Sequence, residues 1–199
     1  MSSAPLSRAE LAGALAPELL SAEAAAALPV RGRKKAGVLV PLFASDEGAI
    51  RIVMTRRGEH LRRHAGELSF PGGRLDEDDA DLSSTAVREA HEEIGLAPGS
   101  VELLGALPPT PTIATGYAVH PFVGVIEPGQ EWVLSQREVA AVHEFDLAQL
   151  LAGYGRRRIK PRGVGFTTDT YVVDDQLVWG ATARILGDLF ARLAAAGLS

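Results

Sequence analysis

Glu89, Glu92 and Glu93 crowd into the stretch Arg88-Glu89-Ala90-His91-Glu92-Glu93. On an α-helix Glu89 and Glu93 fall one turn apart on one face and Glu92 flanks them, so three carboxylates share an arc of about 100°. They repel one another, and the C-terminal end of a helix disfavours anions by roughly 0.3–1 kcal/mol each. A solvated face is the alternative reading, but such a face at a helix C-terminus more naturally carries Lys or Arg. A divalent cation accounts for the cluster, and Mg2+ or Mn2+ suits carboxylate oxygens completed by waters and substrate phosphates. Arg88 is spaced to orient a carboxylate from the side. The chain has no cysteine, which excludes disulfides, thiolate metal sites and a cysteine nucleophile.

Charge is segregated around this cluster. The formal net charge is only -5, from 20 basic and 25 acidic groups, which argues against a general polyanion binder and makes nucleic acid an unlikely partner. Asp76 to Glu93 is strongly acidic, whereas arginines crowd Arg56 to Arg63. Arg156, Arg157, Arg158, Lys160 and Arg162 form a second basic cluster, and Arg31, Arg33, Lys34 and Lys35 a third. An acidic centre flanked by basic segments suits a metal holding a small, highly phosphorylated ligand.

The elements that must position these groups follow from capping and periodicity. Asp81 to Ile94 reads as a helix, with Leu82, Ala86, Val87, Ala90 and Ile94 on one side, the glutamates opposite and facing solvent, and Gly95 as its C-cap. Residues 5 to 28 read as a helix opened by the capping box Ser7/Glu10 and interrupted at Pro17. Arg31 to Lys35 reads as a linker. Residues 37 to 43 and 49 to 55 predict a hairpin, Leu68 to Phe70 a short strand, and Val101 to Leu107 and Val119 to Ile126 two further strands. Asp146 caps a short helix through Leu151, Thr170 to Val173 and Gln176 to Trp179 form a second hairpin, and Thr182 to Ala196 is an amphipathic helix. This order predicts an α/β sandwich with a mixed sheet.

Gly72 and Gly73, followed by Arg88-Glu89-Ala90-His91-Glu92-Glu93-Ile94-Gly95-Leu96, resemble the Nudix box: G, five residues, E, seven residues, then R-E-U-x-E-E-x-G-U with U apolar. The C-terminal half matches at every fixed position. The N-terminal half departs, with Asp79 where glutamate is expected and one extra residue before Arg88, so a ligand role is not carried over to Asp79. Upstream, Val53-Met54-Thr55-Arg56-Arg57-Gly58, then Arg62, Gly66 and Phe70-Pro71-Gly72-Gly73, is similar to the signature of the coenzyme A pyrophosphatase branch, L-L-T-x-R-(S/A)-x3-R-x3-G-x3-F-P-G-G, differing at Val53, Met54 and Gly58. Trp179-Gly180-Ala181-Thr182-Ala183 also matches a late segment of that branch.

The resemblance implies an α/β/α Nudix sandwich with a mixed β-sheet over 34–199, including the C-terminal helix, preceded by an N-terminal helical extension over 1–33. It implies hydrolysis of the pyrophosphate of coenzyme A, and of acyl-coenzyme A, to adenosine 3′,5′-bisphosphate and 4′-phosphopantetheine, with Mg2+ or Mn2+. Glu89 and Glu93 become principal metal ligands and Glu92 a third ligand or the base. Glu138 and Glu144 are the other candidate bases, because the base of this family often comes from a later loop. Arg56, Arg57 and Arg62 would neutralise phosphates, and Gly72 and Gly73 would permit close backbone approach. The rival substrates are ADP-ribose, dinucleotides and nucleoside triphosphates; the rival class is a catalytically silent nucleotide- or RNA-binding module. The expected partner is a small molecule, a homodimer is compatible with the sequence, and no membrane association is expected. With no long apolar run and no basic-then-apolar leader, the expected location is the cytoplasm.

Overall fold

The computed structural model of the protein describes residues 5–58, 66–112, 115–160 and 165–198. Ser7 caps α1 (Arg8–Leu15) through the expected box, its backbone N–H donating to Glu10 at 2.9 Å. The helix expected over 5–28 is interrupted at Pro17, as expected. A 3-10 turn, Ala16–Glu18, carries Pro17, and Ser21 caps a separate short helix, α2 (Ala22–Ala27). Proline lacks the N–H that would continue the ladder, and a fresh serine cap restarts it.

The expected linker is revised, since Lys34 and Lys35 open β1 (Lys34–Ala44). Their backbones pair in parallel with Tyr117 and Ala118 of β7 (Tyr117–Val125), while their side chains are exposed. β2 (Ile50–Arg57) returns antiparallel as the predicted hairpin. β3 (Leu68–Ser69) adds to β2, β4 (Gly72–Arg74) to β1, and β5 (Glu102–Ala106) and β6 (Thr110–Pro111) to β7. β8 (Val139–Asp146), which has little apolar alternation to announce it, pairs with the far side of β2. With one parallel and several antiparallel pairings, the main sheet is mixed, as predicted.

Each face of this sheet carries its own core. On one face α3 (Leu82–Ile94) lays Ala86, Ala90 and Ile94 against Leu39, Val53 and Phe122. On the other, α5 (Gly180–Ala195) lays Leu186, Leu189 and Leu193 over Val40, Met54 and Val123, in a core that also takes Leu11 and Leu15 of α1. The result is the expected α/β/α sandwich. Asp146 caps α4 (Leu147–Ala152), which leads into a small antiparallel sheet of β9 (Tyr154–Ile159), β10 (Phe166–Val173) and β11 (Gln176–Trp179). The basic cluster from Arg156 to Arg158 therefore lies on a strand. α3 approaches β1 closely because Gly37 has no side chain: a Cβ there would sit 2.2 Å from the Leu82 carbonyl oxygen.

Candidate active site

α3 starts sharply. The Asp81 carboxylate accepts from the backbone N–H groups of Ser83 and Ser84 at 2.9 and 2.8 Å, and Gly95 ends the helix in the left-handed conformation, φ 74°. The turn ahead of this cap absorbs the extra residue between Asp79 and Arg88, so Asp79 still reaches the helix. Arg88 Nε and Nη2 donate to its two oxygens at 2.8 and 2.9 Å, and the Thr85 hydroxyl donates to it at 2.8 Å. Those bonds hold the Asp79 carboxyl well below the usual carboxylate range. Asp79 is thus the anchor of Arg88, a role that box spacing alone did not disclose.

Anchored in this way, Arg88 spreads its remaining donors. Nη1 reaches Glu89 at 3.1 Å and Glu92 at 3.2 Å, and Nη2 also donates to the Arg74 carbonyl at 3.2 Å. The Glu89 carboxylate lies over Gly73, where a Cβ would come within 2.1 Å of its Oε1. Gly73 is a glycine because the carboxylate occupies the space a side chain would fill.

Glu93 corrects the expectation of a solvent-facing carboxylate: only 3% of it is exposed. Burial pushes its carboxyl up to about 8, against the pull of the Arg57 guanidinium and the Gly72 N–H, while the charges of Glu89 and Glu138 push further upward. Glu89 is also raised, mainly by burial, with Arg88 opposing and Glu92 and Glu138 adding to it. Two carboxylates, both raised by burial, therefore face the glycine strand β4, while the Glu92 side chain, 57% exposed, leans outward on Arg88.

Glu138 belongs to the same electrostatic group because its loop is pinned on both sides. The Ser135 N–H donates to the Glu93 carbonyl, and the Gly58 N–H, next to Arg57, donates to the Glu138 carbonyl, each at 2.9 Å. Glu144 is committed elsewhere, accepting the Trp132 indole N–H at 2.9 Å. The two basic strand residues separate as well. Arg57 faces Glu93, whereas Arg56 follows Met54 onto the opposite face of β2, where its charge depresses the His143 imidazole after burial has done so. Arg62 lies outside the described residues. The Tyr117 ring is already engaged by cations: Arg74 Nε donates to its hydroxyl, and the Arg74 guanidinium and Lys34 ammonium lie 5.5 and 5.8 Å from its centroid.

Among the described residues no three His, Asp or Glu side chains converge closely enough to cage a metal ion by themselves. The residues present nevertheless fit Mg2+ or Mn2+, which bind through one or two carboxylates and leave other positions to water and substrate phosphates. Glu89 and Glu93 could serve as such a pair, an all-oxygen donor set in which burial opposes the charged form of each.

The NUDIX domain family matches residues 33–162. The chain belongs to the Nudix family. It is 39% identical over 162 residues to an uncharacterized Nudix hydrolase, NudL, of Enterobacter sp. (strain 638), spanning 80% of this chain and 83% of that one. Two solved Nudix structures share its fold. A MutT/nudix family protein from Enterococcus faecalis superposes with a TM-score of 0.53 at 17% identity, over 84% of this chain and 65% of that one. The NUDIX domain of Shewanella oneidensis NrtR, complexed with ADP ribose, gives 0.50 at 18% identity, over 67% and 88%. The Nudix helix is thus α3, and this member is a hydrolase of the Nudix type. Among the described residues no helix is long and apolar enough to cross a membrane.

Proposed function

We propose that this Nudix hydrolase cleaves the pyrophosphate of coenzyme A, giving adenosine 3′,5′-bisphosphate and 4′-phosphopantetheine, and that it does so in the cytoplasm with Mg2+ or Mn2+. The observation that carries the reading is the Glu89–Glu93 pair with the Arg57 guanidinium beside it, so that an oxyanion held by Arg57 lies next to the carboxylates. The choice of coenzyme A is supported by the branch signature, whose Thr55-x-Arg57 segment ends β2 and whose Phe70-Pro71-Gly72-Gly73 segment leads into β4 beside that pair.

Glu89 and Glu93 hold the divalent ion, which when bound neutralises charge on the phosphate oxygens and makes water a better nucleophile. Arg88 fixes Glu89 and Glu92 in place. Arg57 holds a phosphate oxygen. Water adds to one phosphorus, the bridging oxygen leaves with the other phosphate, and the proton of the water passes to a carboxylate, for which Glu138 is the best situated.

Product analysis by mass spectrometry across coenzyme A, ADP-ribose, a diadenosine polyphosphate and nucleoside triphosphates, each with Mg2+, tests the reading. The expected result is selective release of the two coenzyme A fragments. Equal or faster turnover of ADP-ribose, the ligand in the NrtR structure, overturns the substrate assignment.

A further inference from the structure

On the far side of the main sheet from α3, an open cavity of about 600 Å3 lies between the small sheet, α5 and the segment from Pro109 to Pro111. That volume falls within the range of small-molecule sites. Its wall is aromatic: Tyr171 packs 5.4 Å from Tyr154 and 5.6 Å from Phe190, centroid to centroid. Tyr154 is 51% exposed although its hydroxyl is tied down, donating to Asp169 at 2.9 Å. A rigid ring facing open space is available for stacking.

The polar groups of the cavity are incompletely used. Arg184 donates one N–H to the Pro111 carbonyl at 2.5 Å, but its buried Nε has no partner. Asp188, one turn further along α5, also lines the cavity, where the charges of Arg192 and Arg184 act on its carboxylate. Burial lowers the Arg184 guanidinium and raises the Asp188 carboxyl, so water solvates neither fully. A donor and an acceptor standing a helical turn apart match a heterocycle offering both a ring nitrogen and an exocyclic amine.

The second basic cluster continues from this wall. Residues 154, 156 and 158 share one face of β9, and Tyr154 and Arg156 stand opposite Tyr171 and Asp169, which line the cavity. Arg156, whose side chain is 68% exposed, has only a 3.6 Å contact to Asp169, and Arg158 is exposed opposite Thr167. The Arg156 guanidinium thus stands beside an aromatic cavity, whereas that of Arg158 leans the other way, toward Gly165.

We propose that this cavity is a second ligand site, separate from the Nudix helix, that takes a purine nucleoside phosphate, with its base between the aromatic wall and the Arg184/Asp188 pair and its phosphate at Arg156. The assignment does not depend on the substrate of the hydrolase.

Calorimetric titration of the full chain with AMP in EDTA, where metal-assisted binding at the Nudix helix is suppressed, tests it. One AMP binds, adenosine and ribose 5-phosphate each bind more weakly, Tyr154→Ala and Arg156→Ala each weaken AMP by about tenfold, and Glu93→Gln leaves the affinity unchanged. Tyr154 and Arg156 are exposed, and circular dichroism verifies that their variants fold. Three results overturn the proposal: no AMP binding at millimolar ligand, binding lost in Glu93→Gln but kept in Tyr154→Ala, or inorganic phosphate binding as tightly as AMP.

Discussion

The carboxylate of Asp79 takes both inner donors of Arg88, Nε at 2.8 Å and Nη2 at 2.9 Å, and leaves Nη1 for Glu89 and Glu92. One acidic residue in the turn before α3 thereby decides where two carboxylates of the helix point. The pair is fork to fork, the geometry in which an Arg–carboxylate contact is most specific. The Asp79 side chain is 5% exposed, so the contact is shielded from solvent.

Asp79→Asn keeps the shape and removes the charge, and should cost about 1.5–3 kcal/mol in urea unfolding at neutral pH. The pH dependence has a definite sign. Because Arg88 holds the folded carboxyl below its unfolded value, the contribution is complete above the unfolded value, about 3.9, and is lost as pH falls through the depressed folded one. The gap between wild type and variant should therefore be constant from neutral pH down to about 5 and shrink below 4. A gap independent of pH would mean that Asp79 acts by shape alone.

Glu93 has the opposite sign. Its folded value, about 8, lies above the ordinary 4.5, so in chelator-treated protein its contribution is complete below 4.5 and drains away as pH rises through 8. Glu93→Gln should abolish that decline and, at pH 8 or above in EDTA, raise Tm by a few degrees, about 2–4 °C per kcal/mol for a chain of this size. The same variant should lose about 10²–10³ in kcat. Mg2+ should raise the Tm of the wild type but not of the variant. Near-normal turnover in the variant, or an unchanged Mg2+ shift, would remove Glu93 from the ligand set.

These two residues also mark what could be read before folding. The glutamates of the helix, its extent and its Gly95 stop were legible because each rests on local spacing, and the β1–β2 and β10–β11 hairpins were legible from their turns and apolar runs. The burial of Glu93 was not, because helical periodicity puts it opposite Ala86 and Ala90 without saying that β4 and the Ser135 loop close over that side. Nor was Asp79, since a loop can absorb one residue and deliver the same contact. β8 stayed hidden because its burial comes from pairing with β2 rather than from its own alternation. The division between Arg56 and Arg57 depends on strand faces and on the irregularity in register between them.

Gly73→Ala tests how tightly the first carboxylate is seated. The new methyl would stand 2.2 Å from the Glu89 Cδ and 2.1 Å from Oε1, so the carboxylate must move aside. Displacement of a reacting group by about 1 Å costs on the order of 10² in rate, and kcat should fall by about that factor. Stability should change little, since the far end of a glutamate can yield where a backbone could not. Gly37→Ala, whose methyl meets the Leu82 backbone, is the contrast: it should destabilise the fold itself. Similar unfolding midpoints for the two variants would contradict this reading of Gly73.

The remaining choice concerns the proton from water. Glu138 stands on a loop hydrogen-bonded to both the Glu93 carbonyl and Gly58, and its charge is felt by Glu89 and by Glu93. Glu144 is on β8 with its Oε1 already accepting from Trp132. Glu138→Gln should lower kcat by about 10²–10⁴, the usual weight of a positioned base, with little change in KM and with the Mg2+-induced rise in Tm retained. Retention of the metal effect separates a base from a ligand. Glu144→Gln still offers a carbonyl oxygen to the indole, so it should leave kcat and stability near wild type, whereas Glu144→Ala should cost about 1 kcal/mol by orphaning the Trp132 N–H. If Glu144→Gln loses as much kcat as Glu138→Gln, the base lies on β8; if Glu138→Gln also abolishes the Mg2+ effect, Glu138 is a third metal ligand and the proton goes to Glu92.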